Sequence, residues 1–202
     1  MRKILQTLFI TMMIGSPGFI KADHHEDTLN IEQLAQAFGW DLEGAEIQSQ
    51  KVADGLYVLF GIGGNIAVSI GEDGVRIVDD QLPQVMDKIE AAISKIGGGK
   101  IDYAINTHWH FDHAEGNNAL GPKGTTIVAH SNARADMQQG GIVNMVLAKY
   151  NQQPYPKEAL PVFTYDEGMQ IHFNDGEIDL RNFSSAHTNG DTVVIFKAQN
   201  AV

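Results

Sequence analysis

The chain has 202 residues, enough for one domain with a substantial core. Apolar residues make up 43% and charged residues 19%, a globular composition that excludes extended disorder. With 14 Lys and Arg against 25 Asp and Glu, the net charge of -11 disfavours nucleic acid held on a general basic surface, and the lack of Cys excludes disulfides and thiolate chemistry. In chain order, Met1-Arg2-Lys3 is a basic start and residues 4–14 are an apolar run. Gly15-Ser16-Pro17-Gly18 then breaks any helix before Ile20-Lys21-Ala22. This order predicts a secretory signal peptide over 1–22, cleaved after Ala22, and a secreted or periplasmic protein. The run is too short to span a bilayer, so no stable membrane anchor is expected. Cleavage would expose Asp23-His24-His25, an amine with an imidazole in third place that suits square-planar Cu(II) or Ni(II), although a solvated end is the simpler expectation.

Residues 23–50 form an N-terminal segment with a short amphipathic helix over 28–38, where Leu34, Ala35 and Phe38 share a stripe with Leu29 or Ile31. From residue 51 the pattern turns to strands of a main domain running to 202. Leu56–Phe60 follows the Asp54-Gly55 turn, and runs over 65–70 and 75–78 flank Gly71-Glu72-Asp73-Gly74 as a hairpin. Pro83 opens a helix carrying Val85, Ile89, Ala92, Ile93 and Ile96, which Gly97-Gly98-Gly99 stops. A strand over 101–107 delivers the chain to His108. Beyond it come a strand over 125–129, helices over 132–138 and 142–150, and a loop over 152–156. A hairpin of 169–173 and 177–183 turns at Asn174-Asp175-Gly176, and a last strand covers 192–197.

Of the 8 histidines, three fall within residues 108–113, where an even spread would place about 0.24. In His108-Trp109-His110-Phe111-Asp112-His113, the first residues are expected to continue the strand. His108 and His110, two apart, then project the same way onto one ion. Neutral imidazoles suit Zn(II), and Asp112 and His113 begin a second metal position. Trp109 and Phe111 either wall the site or pack in the core. A third imidazole must come from elsewhere. His187, in the small-residue loop Ala186-His187-Thr188-Asn189-Gly190-Asp191, is the best candidate. His172 reads as a strand-face residue and His130 as a local hydrogen-bonding partner at a helix start. Gly61-Ile62-Gly63-Gly64 matches no phosphate-binding loop and reads as a flexible hairpin or active-site flap.

H-x-H-x-D-H after a strand, with H-T-x-G-D downstream, resembles the metallo-β-lactamase-fold hydrolase superfamily from about Val52 onward. The resemblance implies an α/β fold, the αββα sandwich. His108, His110 and His187 would hold one zinc, and Asp112 and His113 would contribute to a second. It also implies metal-assisted hydrolysis of an ester, thioester, lactone or amide/β-lactam bond in a small-molecule substrate, with Asp112 orienting the nucleophile and passing its proton on. Asp79, ending the run Ile77-Val78-Asp79, is similar to the family's strand-end aspartate that supports the metal loop, with a turn acid before Pro83 as the equal alternative. The family's bridging acid and final His have no match after His187, so the expectation is a C-terminally truncated fold lacking much of its second half. It would bind one zinc more readily than two. The competing reading is a non-catalytic zinc-binding module or inactive fragment. A nucleic-acid-processing member is disfavoured by the acidic balance and export signal, and a diiron member by imidazole at His110. Substrate and oligomeric state are not legible.

Overall fold

The computed structural model describes residues 28–202, and the signal peptide expected over 1–22 and the expected Asp23-His24-His25 terminus lie outside them. Helix α1 (Ile31–Phe38) starts with a capping box between Asn30 and Gln33, and Gly39 closes it in the left-handed conformation. Strands β1 (Gln48–Ala53), β2 (Leu56–Phe60), β3 (Ile66–Gly71) and β4 (Gly74–Val78) then meander antiparallel. A single turn at Pro83–Val85 leads into α2 (Met86–Lys95), which returns the chain to β5 (Ile101–Ile105). The short helices α3 (Phe111–Ala114) and α4 (Asn117–Leu120) precede β6 (Thr126–His130). Next come α5 (Ser131–Gln139), β7 (Gly141–Asn144), β8 (Lys149–Gln152) and β9 (Phe163–Tyr165). The chain closes with β10 (Gly168–Phe173), β11 (Gly176–Arg181) and β12 (Val193–Phe196).

Strands β1-β2-β3-β4-β5-β6-β9 form one sheet in that order, with β4, β5, β6 and β9 parallel because helical crossovers join them. Strands β10-β11-β12 form a second, antiparallel sheet. Register explains how the layers bind. Ile77, Ala104 and Ile127 lie in one row across β4, β5 and β6, and Val78, Ile105 and Val128 in the next. Successive residues face opposite sides of a sheet. The first row packs with Leu34 of α1 and Ile89 and Ile93 of α2. The second meets Ile178 and Leu180 of β11 and Val194 and Phe196 of β12. Each buried Ile, Leu, Val or Phe among them contributes about 1.5–3 kcal/mol, and Ala104 less. Helices, large sheet and small sheet therefore stack in sequence, the mixed α/β layering expected.

Two local expectations need correction. Residues 142–150 form the β7–β8 hairpin, not a helix. Val143, Val146, Leu147 and Tyr150 have helical spacing, yet Val146 and Leu147 stand 100% and 85% exposed at the tip while Val143 and Tyr150 are buried. Gly140 ends α5 at a φ of 68°, and β-branched Ile142 and Val143 favour the extended chain. The strand toward His108 also stops earlier than expected, at Ile105, and residues 107–109 bend. Strand β9, three residues long, gives too little pattern to be read.

Candidate metal centre

The metal motif hangs from the end of β5. The Asn106 N–H donates to Val128 O at 2.9 Å and the Asp79 N–H to Ile105 O at 2.8 Å, so the strand exit is held on both sides. After the bend, His110 adopts extended backbone as the residue before α3. Phe111 anchors that helix: it is 1% exposed and its ring lies 4.6 Å from Tyr150 and 6.5 Å from Trp40. Phe111 is thus a core residue, and half-buried Trp109 packs against the same core. Because α3 turns the chain, His113 comes back beside His108, with ring centroids 4.3 Å apart.

His187 arrives from the small sheet, on the loop between β11 and β12. Asp191 shapes that loop by accepting the N–H groups of His187 at 2.6 Å and Thr188 at 2.9 Å, together with the Thr188 hydroxyl. Burial pushes the Asp191 carboxyl up, but the Thr188 and His187 donors outweigh it and hold the group below the usual carboxylate range. His108, His110 and His187 converge so that one nitrogen from each lies within 4.8 Å of the others. His110 Nδ1 faces His187 Nε2 at 2.9 Å, and His108 Nε2 is buried without a partner. Tetrahedral zinc at the usual Zn–N length separates its ligand nitrogens by about 3.3 Å. Burial first, and then the neighbouring imidazoles, lower His108 to about 3; burial and His187 lower His110 to about 4. These rings are neutral at ordinary pH, with lone pairs available. An orphaned buried imidazole nitrogen beside two others fits a divalent cation.

Asp79 is 3% exposed and holds a left-handed φ of 62°. Its Oδ1 accepts the Thr107 N–H at 2.7 Å, and its Oδ2 accepts the Thr107 hydroxyl at 2.8 Å and His113 Nδ1 at 2.7 Å. The same hydroxyl lies 3.0 Å from His108 Nδ1. Donating to Asp79, it accepts from His108 Nδ1–H and leaves the lone pair on Nε2. One carboxylate thus reaches His113 directly and His108 through Thr107. Burial works against a charged His113, but the Asp79 hydrogen bond and charge, with Asp112, raise it above the usual imidazole value. Asp112 places its Oδ2 3.5 Å from His113 Nε2, with its side chain 35% exposed. Among the described residues, only His108, His110 and His187 form a convergent set of three metal-binding groups.

His130 and His172 are elsewhere. His130 accepts the Asn132 N–H at 3.1 Å before α5 and bonds Asp166 O at 2.7 Å, while His172 lies exposed on β10. Several residues behind the motif carry no sequence signal as strong as the histidines. A Cβ on Gly64 would stand 2.3 Å from His113 Cε1, and one on Gly63 2.4 Å from Asp112 O. The Gly64 N–H donates to Asp112 O at 2.9 Å, and Gln81 Nε2, from a residue with φ 56°, donates to Gly64 O at 2.6 Å. The glycine loop joins the antiparallel β2 and β3 as a hairpin connection and lies with its backbone against the motif; four residues with three glycines were the available signal. Tyr150 donates to the buried Glu115 at 2.7 Å and Gln152 Nε2 to Trp109 O at 2.6 Å, tying the β7–β8 hairpin to the motif. Burial, followed by the charge of Asp79, pushes the Asp80 carboxyl well above the usual range. The sequence reading singles out Asp79 alone; a second acid directly after it at the end of an apolar strand is the signal that could have pointed to Asp80.

Solved structures with this architecture include a metallo-beta-lactamase from Cronobacter sakazakii, with 20% identity and a TM-score of 0.63 over 74% of this chain and 57% of that one. BJP-1, a subclass B3 metallo-beta-lactamase of Bradyrhizobium japonicum, shares 20% identity with a TM-score of 0.62 over 75% of this chain and 57% of that one. FEZ-1 from Legionella gormanii shares 16% identity with a TM-score of 0.63 over 75% and 58%. At these identities the likeness is one of fold, and the chain spans less than two thirds of the length of each. A search of curated proteins returned no match. The family model described as the metallo-beta-lactamase superfamily matches residues 72–202, a segment that takes in Asp79, the histidine-rich loop and the His187 loop. The chain belongs to the metallo-beta-lactamase superfamily.

Proposed function

We propose that this chain is a zinc-dependent hydrolase of a small molecule carrying an ester, thioester, lactone or amide/β-lactam bond. His108, His110 and His187 hold the first zinc, and Asp112 and His113 begin a second position. The supporting observation is the convergence of the His108, His110 and His187 imidazoles around the unpartnered His108 Nε2, with the part-exposed Asp112 carboxylate 3.5 Å from His113 Nε2. When bound, zinc supplies Lewis acidity and brings the pKa of water toward neutrality. The remaining work falls to the protein. Thr107 and Asp79 keep protons on the Nδ1 atoms of His108 and His113, so that both Nε2 atoms face inward. Asp112 orients the attacking nucleophile and accepts its proton. His187 and Asp112, the more exposed members, mark the side from which substrate enters. Residues 1–22 direct export to the periplasm or medium, which N-terminal sequencing of the exported protein tests against a start at Asp23.

The test is metal content together with turnover. Zinc-loaded protein is assayed on a panel of chromogenic β-lactam, thioester, lactone and aryl ester substrates, before and after chelation. His110→Ala and His187→Ala are expected to lose zinc and turnover, and His172→Ala to retain both. Equal metal content in all three variants overturns the ligand assignment. Zinc binding without turnover of any substrate favours the second reading, a one-metal binding module. The observation behind that reading is that Asp112 and His113 gain no third metal-binding partner among the described residues.

A further inference from the structure

Behind the metal loop runs a buried polar chain that includes none of the proposed ligands. Asp80, Asn106 and Asn117 are each completely buried. Asn106 donates through Nδ2 to Asp80 Oδ2 at 3.0 Å, and Asn117 donates through Nδ2 to Asn106 Oδ1 at 2.8 Å. Asn117 Nδ2 also contacts Met137 Sδ of α5 at 3.8 Å. Gly116 is pressed so closely on this chain that a Cβ there would stand 2.4 Å from Asp80 O and 2.7 Å from Asp80 Oδ1. Backbone bonds run alongside: the Asp80 N–H donates to His113 O at 2.8 Å and the Gly116 N–H to Gln81 O at 2.9 Å.

Three fully buried polar side chains cost desolvation that well-packed apolar residues would avoid. What they supply is direction, because each hydrogen bond fixes an angle as well as a distance. Their positions show what is being fixed. Asn106 lies two residues before His108 and Asn117 four residues after His113, so the Asn117–Asn106 bond joins the exit of the ligand loop to its entry. Asp80 then ties both to the strand end that carries Asp79.

We propose that Asp80, Asn106 and Asn117 form a positioning bridge that holds the two ends of the 108–113 loop together, so that its imidazoles meet a metal without reorganising. The bridge rests on the metal-binding reading above. It acts through the ligands, so its signature is metal affinity and ligand geometry in a folded protein. The full chain is titrated with Co(II) and with Zn(II) against a competing chelator, and the visible spectrum of the cobalt form is recorded. Far-UV circular dichroism reports folding. Asn106→Ala and Asp80→Ala are expected to weaken metal binding by about 10–100-fold and to alter the cobalt bands. Asp80→Asn retains an oxygen for the Asn106 amide and is expected to restore affinity to within a few-fold. Asn117→Leu, similar in volume, reports on the bridge should the alanine variants fail to fold, and is expected to weaken binding likewise. Wild-type affinity and spectrum in folded bridge variants, or Asp80→Asn no better than Asp80→Ala, overturns the bridge. If His110→Ala loses metal while the bridge variants do not, the bridge falls and the metal reading stands. A wild-type protein that takes up neither cobalt nor zinc removes both.

Discussion

Thr107 has the most leverage for its size. Its hydroxyl is shared between Asp79 Oδ2 at 2.8 Å and His108 Nδ1 at 3.0 Å, and its N–H is held by Asp79 Oδ1. Thr107→Val keeps the shape and the backbone bond but removes the hydroxyl. His108 Nδ1–H then loses its acceptor, and the tautomer with Nε2 protonated becomes competitive. Zinc affinity is expected to fall by about 10–100-fold, while Thr107→Ser is expected to remain near wild type. Chelator competition checks both. Equal affinity in the Val and Ser variants would show that the tautomer is set without the hydroxyl. At this scale the candidate ligands stood out because three histidines in six residues have few bland explanations. Thr107 was not. A threonine near a strand end is common, and its bonds to Asp79, 28 residues away and at a left-handed φ, are not visible in the local sequence.

Among the elements, the Gly61–Gly64 connection shows how a backbone segment can do what side chains cannot. A methyl group on Gly64 would fall within 2.3–2.8 Å of three His113 ring atoms. Gly64→Ala must therefore displace the imidazole or the loop. Expected are a cost of about 1–3 kcal/mol, the usual overpacking range, and lower metal affinity. Gly99→Ala, with nothing within 4 Å of its Cβ, serves as the control in urea titrations. Comparable stability in the two variants would mean that the loop yields freely. Short-range pattern read such elements unevenly. The hairpins β3–β4 and β10–β11 and helix α2 were legible, since turn residues and periodicity agree there. Residues 142–150 misled because helical spacing of Val143, Val146, Leu147 and Tyr150 coincides by accident with a hairpin. The long-range bonds Leu29 N–H to Lys149 O and Tyr150 to Glu115 help hold the hairpin, and neither is visible locally.

At the scale of the whole molecule, the candidate metal centre spans the junction of the two sheets. His108 and His110 follow β5 of the large sheet, whereas His187 belongs to the loop leaving β11 of the small one. Apolar contacts of Ile105, Val128, Leu180 and Phe196 already join the layers, and the proposed metal would add a coordinate cross-link at one end. Binding confined to the folded state stabilises it by about 2.7 kcal/mol at a hundredfold excess over Kd. In a chain of this size that is about 5–10 °C in Tm. The neutral rings also set the pH dependence of the metal-free protein. His108, lowered to about 3 in the fold from 6.5, favours the folded state fully above pH 6.5. That contribution is lost as pH falls toward 3, because the unfolded chain takes up the proton first. Chelation is thus expected to lower Tm at pH 7.5, and acidification from 6.5 to 5 to lower the Tm of the metal-free protein further. The location of the loosening is the sharper prediction. Hydrogen exchange should accelerate in β11, β12 and the loop between them while β4 and β5 stay protected, because only the small sheet is tethered through His187. Uniform acceleration of both sheets would show that the metal stabilises the fold as one unit and does not clasp its layers together.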